Sequence, residues 1–184
     1  RSIVVALDES VFVVDQGAHR IRLVDAVQNF TIKAWAGTGT ATFGTDGDSL
    51  PLATFLDPTD IEFSQDGGLY VADAGRVRKL KPGIVGMGGD VNVTIAGSSS
   101  GATGSTGDDG ALLAARFQSI SGISTFIDVN NPNPALPYLV VCDRADHTVR
   151  LLDQTTDRVR LLAGQHGTPG NAPDFSAKTG RLDT

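Results

Sequence analysis

Three aspartate–arginine pairs recur along the chain: Asp15 with Arg22, Asp73 with Arg78, and Asp143 with Arg150. A single such pair would suit a general acid beside an electrophile. Three copies argue for something else, because a catalytic group is needed once whereas a structural tie is needed in every repeat. The expected role is a carboxylate–guanidinium contact between neighbouring strands. No catalytic residue is assigned. His19 and His147 occupy matching turn positions in two of the copies, and a polar side chain there caps a strand connection. His166 sits in a glycine-rich stretch, with no second histidine at the His-x3-His spacing of a metal site. Acidic residues in the long loops, Asp46, Asp48, Asp108, Asp109 and Asp174, supply oxygen ligands of the kind calcium takes. The full spaced calcium-loop motif is missing, so Asp46, Asp48, Asp108 and Asp109 are weak calcium candidates, and no other cofactor is expected. Neither a Gly-x-Ser-x-Gly elbow nor a phosphate loop occurs.

Cys142 is the single cysteine, lying in the apolar run Tyr138–Leu139–Val140–Val141–Cys142. It reads as a small buried core residue. One thiol forms no internal disulfide and leaves the redox compartment open. Two glycosylation triplets, Asn29–Phe30–Thr31 and Asn92–Val93–Thr94, bear on that question. Asn92 alternates with Val91, Val93 and Ile95, a pattern that buries the valines and turns Asn92 outward. Both sequons favour an extracellular or cell-surface setting.

These residues sit on a hairpin that the chain repeats. Its copies are Val11–Asp25, Leu69–Leu80 and Leu139–Asp153, each a strand, a short polar turn and a second strand. An apolar strand precedes each hairpin and a fourth strand follows it, closing at Ala36–Gly37, Ala96–Gly97 and Ala163–Gly164. The longer third unit is mostly accounted for by the Asn–Pro insertion from Asp128 to Pro137. Four-stranded antiparallel units repeating at this interval are the blades of an all-β β-propeller. Blade 1 spans about 1–37, blade 2 about 58–97 and blade 3 about 120–164, with 165–184 leading toward a further blade. Glycine-rich loops connect the blades, and Ala111–Phe117 could form about two helical turns. The link between the second and third strands leaves the same face as the link to the next blade. The loop carboxylates therefore share a face with His19 and His147.

The sequence resembles the NHL-repeat propellers. Leu69–Tyr70–Val71–Ala72–Asp73 matches that family's strand, His19–Arg20–Ile21–Arg22 and His147–Thr148–Val149–Arg150 its turn and following strand. Gly107–Asp108–Asp109–Gly110–Ala111 through Phe117, and Asp46–Gly47–Asp48 through Pro58, match its inter-blade signature. The resemblance covers nearly the whole chain. It implies the fold strongly and the function weakly, because such propellers serve many tasks. Some enzymes of this kind hold a metal through histidines near the ring axis.

Three blades do not close a ring, since propellers typically have about four to eight. A six-bladed ring is expected, completed by further blades of the same longer chain or, second in preference, by a second copy paired head to tail. The formal net charge of -6 argues against a nucleic-acid partner, and no apolar run is long enough for a membrane span. The reading that results is a non-enzymatic protein- or glycan-binding scaffold at or outside the cell surface. Its rivals are a metal-dependent lyase or hydrolase on the same ring and a structural subunit of a surface filament.

Overall fold

The computed structural model describes residues 2–83, 89–127, 133 and 136–169. Its strands form three four-stranded antiparallel sheets, each a meander of consecutive strands. Blade 1 holds β1 (Ile3–Val5), β2 (Val11–Asp15), β3 (Arg20–Asp25) and β4 (Thr31–Ala36). Blade 2 holds β5 (Pro58–Phe63), β6 (Leu69–Asp73), β7 (Arg76–Lys81) and β8 (Val91–Gly97). Blade 3 holds β9 (Ile120–Phe126), β10 (Tyr138–Asp143), β11 (Thr148–Asp153) and β12 (Arg158–Gly164). The first strands neighbour one another, β5 lying beside both β1 and β9. The expected two-turn helix at Ala111–Phe117 is only a short 3-10 turn, Leu112–Ala114. Most of the Asn–Pro insertion lies outside the described residues.

Period-two alternation sorts each blade into two faces. One core joins Val14 and Ile21 of blade 1 to Ile61, Leu69, Val71 and Leu80 of blade 2, with Val4 and Phe12 packed against it. A second core joins Tyr70, Ala72 and Val77 of blade 2 to Leu139, Val141, Leu152 and Val159 of blade 3. Blade 2 is therefore buried on both faces, and every residue of β6 is buried. This sheet-on-sheet burial is the main stabilising term of the stack.

Each blade carries the same irregularity. Register shifts fall between Ile21 and Arg22, Val77 and Arg78, and Val149 and Arg150. Opposite them Trp35, Ile95 and Leu162 are the extra residues, since pairing skips from Ala36 to Ala34, from Ala96 to Thr94 and from Ala163 to Leu161. A bulge changes which face the following side chains occupy. The expectation for Asn92 is reversed. It pairs with Leu80, is fully buried, and stands toward the core that blade 1 covers, while Val91 and Val93 are partly exposed. Asn92 is therefore an unsuitable glycan acceptor in the folded chain, whereas Asn29 is exposed in a turn.

Cys142 is also corrected, being exposed rather than buried. It alternates with the buried Leu139, Val141 and Asp143 and so stands on the opposite face of β10. Its blade 2 counterpart, Ala72, is fully buried because blade 3 covers it. Among the described residues no fourth blade covers Cys142.

Candidate functional site

The segments entering blades 2 and 3 fold over those blades and are held by the repeated aspartate and arginine. In blade 3, Asp143 accepts the main-chain N–H of Gln118 at 2.7 Å and of Ser119 at 2.9 Å. In blade 2, Asp73 accepts those of Leu56 and Asp57, both at 2.9 Å. Arg150 donates through Nη1 to the Arg116 carbonyl at 2.8 Å and through Nη2 to the Thr106 carbonyl at 3.0 Å. Arg78 donates likewise to the Thr54 carbonyl at 2.8 Å and the Thr45 carbonyl at 3.3 Å, and to Asn92 Oδ1. Each guanidinium also lies over an aromatic ring of the entering segment, Arg150 over Phe117 and Arg78 over Phe55.

The expected carboxylate–guanidinium tie is direct in blade 1, longer and shared with Arg76 in blade 2, and replaced in blade 3. Asp15 and Arg22 meet at 2.5 Å, half-exposed. Asp73 is closer to Arg76, at 3.0 Å, than to Arg78, at 3.7 Å. Arg150 takes Asp108 at 2.7 Å rather than Asp143. The cause is competition: where an entering segment is present, the aspartate serves its two N–H groups and the arginine serves its carbonyls. In blade 1 the two side chains turn to each other. Burial, with the neighbouring Arg76 charge, pushes the Arg78 pKa down to about 10, so it stays charged at neutral pH.

Arg76 is an anchor that repeat reasoning missed. It is fully buried, donates to Asp73 and to the Gly44 carbonyl at 2.8 Å, and stacks 3.9 Å from the Phe43 ring centroid. At the equivalent start of the third strand, Arg20 donates to the Thr38 carbonyl and the buried Thr148 donates to Asp146. The alternation Arg76–Val77–Arg78 was the available signal.

The carboxylates proposed for calcium do not converge. Asp46 accepts the Thr94 hydroxyl at 2.9 Å and Asp48 that of Thr45 at 2.8 Å. Asp108 is taken by Arg150, and Asp109 uses its main chain to bind Val159 and Arg158. Asp174 lies outside the described residues. Among the described residues no group of three or more His, Cys, Asp or Glu is placed to hold a metal ion. His19 and His147 both end their turns at left-handed φ, 52° and 58°, as does Ala74 at 55°. They share a backbone position, and they sit in blades 1 and 3 with blade 2 between.

His166 does find carboxylates. Its Nδ1 lies 2.5 Å from Asp146 Oδ2 and its Nε2 lies 2.7 Å from Asp108 Oδ2. Burial disfavours the charged ring, but the two carboxylates outweigh it and raise the His166 pKa above its ordinary value. Both ring nitrogens are engaged, so neither is free for acid–base work on a substrate. The Gly167 N–H donates to Asp146 Oδ1 at 3.0 Å, completing a clasp between the exit from β12, the β10–β11 turn and the segment entering blade 3.

On the opposite face, a cleft of about 620 Å³ opens between blades 1 and 2. Leu7, Phe12, Leu23 and Phe63 give it an apolar lining, and Asp8, Asp25 and Gln65 supply polar groups. Phe12 meets both Trp35 and Phe63 edge to face, which fixes its ring.

This architecture is that of a β-propeller section. It is similar to an auxiliary nutrient binding protein from Bacteroides thetaiotaomicron, with a TM-score of 0.63 and 14% identity over 89% of this chain and 35% of that one. A structural genomics protein of unknown function from the same organism aligns with a TM-score of 0.58 and 17% identity, over 92% of this chain and 36% of that one. An auxiliary nutrient binding protein from Bacteroides ovatus aligns with a TM-score of 0.54 and 17% identity, over 89% and 46%. The chain therefore spans between about a third and a half of the length of these structures. At such identities the likeness shows the fold alone. No protein-family model matches the chain, and no curated protein matches its sequence. Among the described residues no helix is long and apolar enough to cross a membrane.

Proposed function

We propose that the chain is a section of an NHL-type, six-bladed propeller that acts as a non-enzymatic binding module outside the cell, with a protein or glycan as partner. The observation that carries this reading is the cleft between blades 1 and 2. It pairs fixed aromatic and aliphatic walls with a few polar groups, the composition of a recognition site rather than of a reaction centre. Its volume of about 620 Å³ is that of a short oligosaccharide or peptide, and Asp8, Asp25 and Gln65 supply the polar groups that would orient either. On the other face Asp143, Arg150, Asp108 and His166 are engaged in holding the segment that enters blade 3. The nutrient-binding descriptions of two structural neighbours agree with a binding role.

A glycan and peptide array screened with the full chain, followed by calorimetry on the best ligand, tests this. Asp8→Ala with Gln65→Ala should weaken binding about tenfold, equivalent to about 1.4 kcal/mol, while the unfolding midpoint stays put. Chemical turnover of the bound ligand, or affinity indifferent to both substitutions, would overturn the reading.

A further inference from the structure

We propose that the open pocket on blade 3 is the third copy of a socket present in every blade, and that Leu182 of this chain is its occupant. The socket is a cross-strand row. In blade 1, Val14 pairs with Ile21 and Ile21 with Ala36. In blade 2, Ala72 pairs with Val77 and Val77 with Ala96. In blade 3, Cys142 pairs with Val149 and Val149 with Ala163.

The first two rows are filled. Phe55 shares the core of Val14, Ile21 and Ala36 and is fully buried. It approaches so closely that a Cβ on Gly37 would lie 3.1 Å from its ring. Phe117 shares the core of Ala72, Val77 and Ala96 and is likewise fully buried. In each case the aromatic arrives on the segment that leaves that same blade. The third row instead lines a cavity of about 280 Å³, with Cys142, Val149 and Ala163 in its wall.

Spacing identifies the occupant. Phe55 follows Gly37 by eighteen residues and Phe117 follows Gly97 by twenty; Leu182 follows Gly164 by eighteen. Each is preceded two positions earlier by a small residue, Ala53, Ala115 and Gly180. Ala53 and Ala115 are both fully buried, as a close approach of the segment to the blade requires. Arg181–Leu182 also repeats the order of Arg116–Phe117. Leu182 lies outside the described residues, so the assignment rests on the repeated row, the matching cavity and the spacing. Cys142, Val149 and Ala163 give this cavity an apolar patch on which a leucine side chain fits, with Arg144, His147 and Thr148 also in its wall.

Cys142 lines the socket and is the chain's single cysteine, so its thiol reports occupancy. The experiment is maleimide labelling of the full 184-residue chain under native conditions, at several protein concentrations. Leu182→Glu should label about tenfold faster than the parent, because a charge will not enter the socket. Leu182→Phe, restoring the residue type of the other two blades, should label more slowly than the parent. Unfolding cannot produce that slowing, so the second variant guards against a merely destabilised chain. Equal rates in all three proteins would overturn the proposal. So would a parent rate that falls as concentration rises, which would assign the socket to a second copy.

Discussion

Arg150 lies 4.9 Å from the ring centroid of Phe117 and donates to the carbonyl of the residue before it, Arg116. One side chain thus grips both the ring and the main chain of the segment entering its blade. Arg78 repeats the arrangement on Phe55 and Thr54. The repeated arginine is a fastener between one blade and the connection from its predecessor.

Replacing this fastener should cost far more in blade 3 than in blade 1. Arg150→Ala removes a fully buried guanidinium, leaving the Arg116 and Thr106 carbonyls without their donor and Asp108 with His166 alone. A loss of about 3–5 kcal/mol is expected. Arg22→Ala removes a half-exposed pair that screening already weakens, for about 0–1 kcal/mol. Urea unfolding of both variants checks the contrast, and comparable losses would contradict the fastening role.

Asp143→Ala should strand the N–H groups of Gln118 and Ser119, at about 1–3 kcal/mol for each left unpaired. The damage should be local first. Hydrogen exchange at residues 117–120 should accelerate before the rest of blade 3 responds, and uniform acceleration would argue against this site-specific role.

Asn92→Val tests an asymmetry between blades, because Val159 occupies the corresponding position of β12. In blade 2 the amide accepts from Arg78 and donates to the Asp48 carbonyl at 3.2 Å. The apolar substitute leaves a buried guanidinium N–H unpaired, so stability should fall by about 1–3 kcal/mol. A neutral or stabilising outcome would show that packing, rather than this contact, governs the site.

The blade plan was legible because hydrophobic alternation and the Ala–Gly closures recur in the chain itself. What Asp73, Asp143, Arg78 and Arg150 bind was not, because their partners are main-chain atoms of loops whose path no side-chain pattern encodes. Asn92 was misplaced for a related reason: alternation gives two faces, and blade 1 covers the one on which Asn92 stands beside Leu80. Cys142 lay in an apolar run, yet burial there depends on a neighbouring blade rather than on the run. The His166 clasp had no repeat to announce it, since it joins residues 108, 146 and 166 in one blade alone. The cleft between blades 1 and 2 arises from side chains distant in sequence and likewise left no local mark.

The clasp makes a prediction about pH. Carboxylates facing His166 come from two elements, Asp108 on the entering segment and Asp146 on the β10–β11 turn, with Arg150 beside Asp108. The His166 pKa is raised in the folded chain, so its stabilising contribution is fully present below the ordinary value of 6.5 and is lost as pH rises through the raised one. Burial opposes ionisation of Asp108 and Asp146, but their hydrogen bonds outweigh it and lower both pKa values below 3.8. Their contribution is present above 3.8 and is lost as pH falls through the lowered values. The clasp is therefore tightest in mildly acidic to neutral solution and loosens on the alkaline side of the His166 titration. Proton NMR of the His166 ring should give a midpoint above 6.5, and Asp146→Asn should bring it down. Exchange of the Gly167 amide, which donates to Asp146, should quicken through the same midpoint beyond the ordinary chemical rise with pH. A His166 midpoint at or below 6.5, or one unmoved by Asp146→Asn, would mean that the carboxylates do not hold the ring as an imidazolium.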